Sequence, residues 1–332
     1  YMGESYNEIV KRTEDTDFSN NSGGICSRTG MQEKKHRDAP LQRKLIIPSC
    51  GYSLAMESAK GGKLMARKFS LAYLTVPGIE AVDQIRMAAE AGYYTVSLRT
   101  IPMGQQGEPQ NDLIREKDLF AEIRRTLQET GMKVLDIELV RVREDLPLDY
   151  REVFEKGAEL GATDILSSCW TENQEFAVEA FGKICEQARE FGMNVNLEYP
   201  ASSAIHDLAG VARLQEKVQA PNLKLFLDML YVFWAQDTPE AIQAIAPERF
   251  GLIHLCDCPK DHYLRDRTET MRVRREYPGL GAIPLVPILK ALPKNPCSIE
   301  LPNEEYIHRY GAMGHVERCL AHAKEVLQLV DQ

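Results

Sequence analysis

Asp164-Ile165-Leu166-Ser167-Ser168-Cys169, an amphipathic run over 174–191 closed by Gly192, and then Asn194-Val195-Asn196-Leu197-Glu198-Tyr199 form the stretch that decides the fold. Two apolar runs too short for helices flank one long run with helical period. The glycine is the residue suited to a left-handed helix end. This is one strand–helix–strand unit, and it repeats in both directions. Upstream, strands are predicted over 69–76, 94–101 and 134–142. Their helices follow Pro77-Gly78 and cover 117–130 and 150–160, with stops at Gly92, Gly131 and Gly161. Downstream, strands over 223–229, 251–256 and 297–301 alternate with helices near 206–218, 239–245 and 314–329. Eight such units over about 265 residues match the size and order of a closed (β/α)₈ TIM barrel. The first strand–helix turn, Val76-Pro77-Gly78-Ile79, lacks G-x-G-x-x-G, so no dinucleotide site is expected.

Residues 1–67 break this rhythm. Asn20-Asn21-Ser22-Gly23-Gly24 and Gly61-Gly62 are turn-like, and no apolar period survives beyond a turn. We expect a disordered N-terminal extension over 1–67 and a barrel domain over 68–332. Lys34-Lys35-His36-Arg37 is a short basic cluster, but the chain as a whole has 49 acidic against 40 basic side chains. A net charge of -9 repels phosphate backbones, so no nucleic-acid partner is expected. No apolar run approaches the roughly 20 residues that cross a bilayer, and none reads as a signal peptide. The eight cysteines are scattered without a C-x-x-C pair, which suits reduced thiols in the cytoplasm. Cys256 and Cys258 alternate on one strand face and are expected to pack as small apolar groups. A homo-oligomer is an option the sequence leaves open.

In this architecture chemistry sits at the carboxyl ends of the strands. Four consecutive strands, the fifth to the eighth, end in Glu198, Asp228, His254 and Glu300. A charged group ending an apolar strand is costly unless paired, hydrated or metal-bound, and four in a row are hard to explain as packing accidents. Three carboxylates and an imidazole suit a divalent cation such as Mn²⁺, Mg²⁺, Co²⁺ or Zn²⁺. Three anionic ligands leave such a site net negative. That favours a neutral polyol or ketose over a heavily phosphorylated substrate unless nearby cations reverse the balance.

These residues make 68–332 resemble the xylose isomerase-like barrel superfamily, which includes sugar isomerases, ketose epimerases, inosose dehydratases and AP endonuclease-type barrels. The resemblance places the family's Glu–Asp–His–Glu ligand set on Glu198, Asp228, His254 and Glu300. His254-Leu255-Cys256-Asp257 resembles its His-x-x-Asp/Glu strand end, and Tyr277-Pro278-Gly279-Leu280-Gly281 its Pro-Gly-x-Gly turn. A long interval between His254 and Glu300 implies an insertion of about one short element. By resemblance, Glu198 and Glu300 are both ligands and acid/base groups, removing and returning a proton next to a metal-bound carbonyl through an enediolate. A metal-dependent sugar isomerase or epimerase is the main expectation. A lyase dehydrating an inosose- or dehydroshikimate-like ring is the alternative, and a non-catalytic barrel is a third reading that the intact ligand set disfavours.

Two departures matter. Ketose epimerases carry a histidine three residues after the aspartate ligand, where this chain has Tyr231. They carry an arginine six residues after the histidine ligand, where it has Lys260. Both remain candidate substrate contacts, along with Glu138, Arg141, Arg99 and Trp170. Glu138, Arg141 and Arg99 are equally placed for inter-strand ion pairs. Trp170, Tyr199 and Trp234 are expected to wall the pocket, and His206 to cap or face solvent. His262, Arg265, Arg267, Arg272, Arg274 and Arg275 form either a solvated charged loop or a lid bringing cations to the acidic site.

Overall fold

The computed structural model describes residues 68–105 and 107–332. The expected disordered extension over 1–67 lies outside them. Eight parallel strands close into a barrel in sequence order: β1 (Phe69–Ala72), β2 (Thr95–Arg99), β3 (Lys133–Val142), β4 (Asp164–Cys169), β5 (Asn194–Glu198), β6 (Leu223–Asp228), β7 (Phe250–Leu255) and β8 (Cys297–Ile299). β1 pairs with β8, so the sheet has no free edge. The connecting helices are α1 (Ala81–Ala91), α2 (Lys117–Thr130), α3 (Arg151–Glu159), α4 (Gln174–Glu190) and α5 (Leu208–Val218). They continue with α6 (Met229–Ala235), α7 (Pro239–Gln243), α8 (Arg267–Val273), α9 (Leu285–Ala291) and α10 (Glu304–Val330).

Side-chain alternation sorts the strands into two packing layers. Outward residues such as Leu71, Val96, Val140, Ile165, Leu197, Leu225 and Ile253 join the helices in one large buried cluster. Inward, Leu139, Leu166, Phe226 and Leu252 fill the middle of the barrel. Deeper still the barrel is polar: Ser97 bonds Ser70, Ser298 and Asp136, and Asn196 donates to Asp164 at 2.9 Å. Burial, then the charge of Glu138, pushes the Asp136 carboxyl up to about 8.

The expected glycine stops at 92, 131 and 192 all adopt left-handed backbone, with φ of 84°, 70° and 70°. Two boundaries differ from expectation. The first strand ends at Ala72 and tightens into a 3₁₀ turn over Tyr73–Thr75, whose Thr75 hydroxyl is spent on β8. The last helix begins at Glu304, capped by Asn303, and bends at Gly311, so the apolar period near 314 marks the straight part rather than the start. The insertion between β7 and β8 is larger than one element. It holds a 3₁₀ turn (His262–Leu264), α8 and the Pro278-Gly279 turn before α9. Among the described residues no helix is long and apolar enough to cross a membrane. Cys169, Cys185, Cys256, Cys258 and Cys319 are free and buried, and Cys297 is buried.

Candidate metal centre and active site

The structure brings Asp228, His254 and Glu300 together at the carboxyl end of the barrel, with one donor atom from each within 4.8 Å of the others and all three buried. Asp228 ends β6, His254 lies in β7 and Glu300 follows β8, so three neighbouring strands aim them at one point. Glu198 ends β5 in the same upper layer and is 6% exposed, but it does not join this tight triplet. Since β5 and β8 are three strands apart in an eight-strand ring, Glu198 and Glu300 approach the mouth from nearly opposite sides.

Each ligand candidate is held by its backbone surroundings. Asp228 Oδ1 accepts the Leu230 amide at 2.8 Å, capping α6 as it leaves the strand. Thr75 brackets Glu300: its hydroxyl donates to Ile299 O at 2.8 Å and accepts from Leu301 N at 3.1 Å. His254 stacks edge-on to Phe226, ring centroids 4.5 Å apart. Its Nδ1 lies 3.3 Å from Glu300 Oε2 without hydrogen-bond alignment, and its Nε2 has no partner. A buried imidazole with both nitrogens unsatisfied, facing two carboxylates, is a donor set that a divalent cation fits.

One cation is already built in. Arg275, fully buried, donates Nη1 to Asp228 Oδ2 at 2.7 Å and to Glu300 O at 3.1 Å, while its Nη2 lies 3.0 Å from Glu300 Oε2. Carboxylate oxygens have two lone pairs each, so the guanidinium and a metal ion can share Asp228 and Glu300. The charged-loop reading of 262–275 therefore holds for Arg265 and Arg274, which pair with Asp261, Glu269 and Glu305 near the surface, and not for Arg275.

The two glutamates have opposite electrostatics. Burial, then the neighbouring charge of Glu300, pushes the Glu198 carboxyl well above its ordinary range. Burial acts the same way on Glu300, but the charges of His254 and Arg275 outweigh it and bring that carboxyl down to about 2. His254 is disfavoured as a cation by burial, yet the charges of Glu300 and Asp228 raise it well above an ordinary imidazole.

The other sequence candidates divide. Arg99 is buried and donates Nη2 to Glu138 Oε2 at 2.9 Å and Nη1 to Glu108 Oε1 at 3.1 Å. Glu108 Oε2 in turn takes the amides of Met103, Gly104 and Gln105, folding the loop after β2 onto this pair. Tyr231 is buried, with the Arg275 guanidinium 5.7 Å from its ring centroid. Trp170 is 36% exposed and donates Nε1 to Ser168 Oγ at 2.9 Å. Tyr199 turns away into the barrel–helix layer, bonded to Asp237, and Trp234 sits by Arg267. Lys260 is exposed and lies with Asp261, Arg265 and Glu276 on an outer crevice. His206 lines a separate cavity of about 440 Å³ between α4 and α5 that Glu198, Asp228, His254 and Glu300 do not line.

The sequence names Arg275 only as one of six basic residues of the inserted segment, because counting six residues on from His254 lands on Lys260. The signal was the turn. Asp257, three residues after His254, accepts amides from Cys258, Gly279, Gly281 and Ile283 at 2.8–3.1 Å, which fixes the Pro-Gly-x-Gly turn to the strand end. Whatever the length of the insertion, Arg275 three residues before Pro278 is returned to the mouth. A Cβ at Gly281 would overlap the Asp257 carboxylate and the Cys258 carbonyl, so only glycine fits there.

Residues 85–322 match the sequence model described as the xylose isomerase-like TIM barrel. The chain belongs to that family. Among solved structures it is similar to the IolI protein with a bound zinc atom, at TM-score 0.66 and 17% identity over 79% of this chain and 98% of that one. The D-allulose 3-epimerase of Methylomonas sp. in complex with D-allulose gives 0.56 and 16% over 78% and 97%. The probable 3-DHS dehydratase AsbF of Bacillus anthracis gives 0.58 and 19% over 79% and 98%. These likenesses are of fold. No curated protein matches the chain in sequence.

Proposed function

We propose that the protein is a divalent-metal-dependent isomerase or epimerase of a sugar or related polyol carbonyl compound, working by proton abstraction next to the carbonyl. The observation that carries this is the pair of buried glutamates on opposite sides of the mouth, Glu300 within the cluster with Asp228 and His254 and Glu198 across from it. Two carboxyls with separated proton affinities divide into an acid and a base. Glu300, ionised, is placed to take the carbon-bound proton. Glu198, holding its proton, is placed to deliver one from the other side. Asp228, His254 and Glu300 would hold the ion, which would supply Lewis-acid stabilisation of the enediolate charge. Arg275 holds the Asp228 and Glu300 carboxylates in place, and Tyr231 and Trp170 line the approach. The zinc-bearing and epimerase relatives, similar in fold, support this reading.

Glu198→Gln and Glu300→Gln variants test it. Each should keep the fold and lose turnover by about 10²–10⁴-fold, along with deuterium incorporation from solvent into recovered sugar. Unchanged turnover in either variant would sink the mechanism. The same enolisation can expel a β-hydroxyl, the outcome suggested by the dehydratase relative. Loss of the mass of water from product, in place of an unchanged mass, would assign the lyase outcome.

A further inference from the structure

We propose that Arg141 is a carboxylate-binding subsite at the rim of the mouth, so that the substrate is a sugar acid or keto acid rather than a neutral ketose. This rests on the mouth being the active site and narrows the class of molecule it takes.

Among the described residues the guanidiniums of Arg99, Arg141 and Arg275 face the barrel mouth, and two are committed. Arg275 is locked to Asp228 and Glu300, and Arg99 to Glu108 and Glu138. Arg141 differs. It is half-buried, its Nη2 donates to Met103 O at 3.1 Å, and no carboxylate lies within ion-pair distance of it among the described residues. Desolvation, then Arg143, outweighs the opposing charge of Glu108 and makes its charge less favourable than that of a free guanidinium. A partly dehydrated cation without an anion is a costly arrangement that an anionic ligand would relieve.

The strand register shows where that anion would lie. Arg141 pairs with Ser168 on β4, and Ser168 pairs with Glu198 on β5. Residues in register on a parallel ladder share a face, so the three form one row across the mouth. At about 4.8 Å per strand, Arg141 stands about 10 Å from Glu198 along that row. Ser168 and the Trp170 indole bonded to it occupy the middle. A polyol chain laid along the row would put its terminal anion on Arg141, its C–H face on the indole and its reacting carbon between Glu198 and Glu300. One guanidinium with a nitrogen already engaged offers a single two-donor edge, which matches a planar carboxylate. A phosphate dianion would call for more cations than this rim provides. In this proposal Arg275 within the site and Arg141 at its edge are the nearby cations that offset the three anionic ligands.

The test is calorimetric titration with D-gluconate and D-glucitol, which share a carbon skeleton, differ in the carboxylate and have no ketone or aldehyde to enolise. Both are titrated into Mn²⁺-supplemented wild type, Arg141→Met and Arg141→Lys. Wild type should bind gluconate at least about tenfold more tightly than glucitol, as expected for hydrogen bonds to a charged group. Arg141→Met should remove most of that preference and Arg141→Lys should retain part of it. Equal binding in wild type, or a full preference surviving in Arg141→Met, overturns the subsite. The latter would mean that the carboxylate sits on the metal or on Arg275. Because neither ligand reacts, this outcome is read separately from turnover in Glu198→Gln, which bears on the mechanism alone.

Discussion

Replacing Arg275 by methionine removes a fully buried cation while roughly keeping its packing volume. The loss is large because of what remains. Asp228 is 0% and Glu300 4% exposed, and each would be left with a carboxylate turned toward an apolar void. The carbonyls of Glu300 and Met271 would also lose their guanidinium donor. Breaking a buried pair by deleting one partner costs about 3–5 kcal/mol. For a barrel of this size each kcal/mol moves the melting temperature by about 2–4 °C, so a fall of roughly 10 °C is expected in chelator-treated protein. A divalent ion should then compensate. With the competing cation gone, Asp228 and Glu300 face the ion with all their charge. An ion at a hundred times its dissociation constant adds about 2.7 kcal/mol to the folded state. Thermal melts of wild type and Arg275→Met, in EDTA and across a Mn²⁺ series, measure both effects. Mn²⁺ should raise the variant's melting temperature more than the wild type's. Equal melting temperatures in EDTA would refute the ion-pair argument. No stabilisation of either protein by Mn²⁺ would refute the shared-site geometry.

Other expectations follow from the same interior. The Asp136 carboxyl, raised from an ordinary 3.8 to about 8, keeps its proton in the fold and loses it when unfolded. Its contribution is therefore fully present below about pH 4 and is lost as pH rises toward 8, at about 1.4 kcal/mol per pH unit. Asp136→Asn, which mimics the protonated form, should flatten that slope in denaturant titrations between pH 5 and 8, and an unchanged slope would contradict the assignment. Gly281→Ala forces a Cβ into the Asp257 carboxylate that holds the turn. It should cost about 1–3 kcal/mol by overpacking and weaken the return of Arg275, read as a lower denaturation midpoint and reduced Mn²⁺ affinity. Thr75→Val keeps the shape but removes both hydrogen bonds that bracket Glu300. It should lower turnover more than it changes substrate affinity, and a change in affinity alone would count against a positioning role.

Sequence alone determined the barrel, because the signals that specify it are local. Strand-length apolar runs, helical periods and glycines such as Gly92, Gly131 and Gly192 are properties of short windows, and eight such units leave few ways to close a sheet. It also singled out Glu198, Asp228, His254 and Glu300, since a strand end is local and the barrel converts four strand ends into one mouth. Tertiary structure decided how those residues are shared. Only the closed ring shows Asp228, His254 and Glu300 as a tight triplet with Glu198 across from it. Arg275 could not be placed by counting, because the insertion separates it from His254 and hydrogen bonds from Asp257 bring it back. Arg99 and Arg141 look alike in the sequence, both near strand ends. They differ through Glu108, a loop residue, and Glu138, whose carboxylates pair with Arg99 at 3.1 and 2.9 Å and not with Arg141. Charge pairing across a barrel depends on distances between strands and loops far apart in the chain, and no short window contains them.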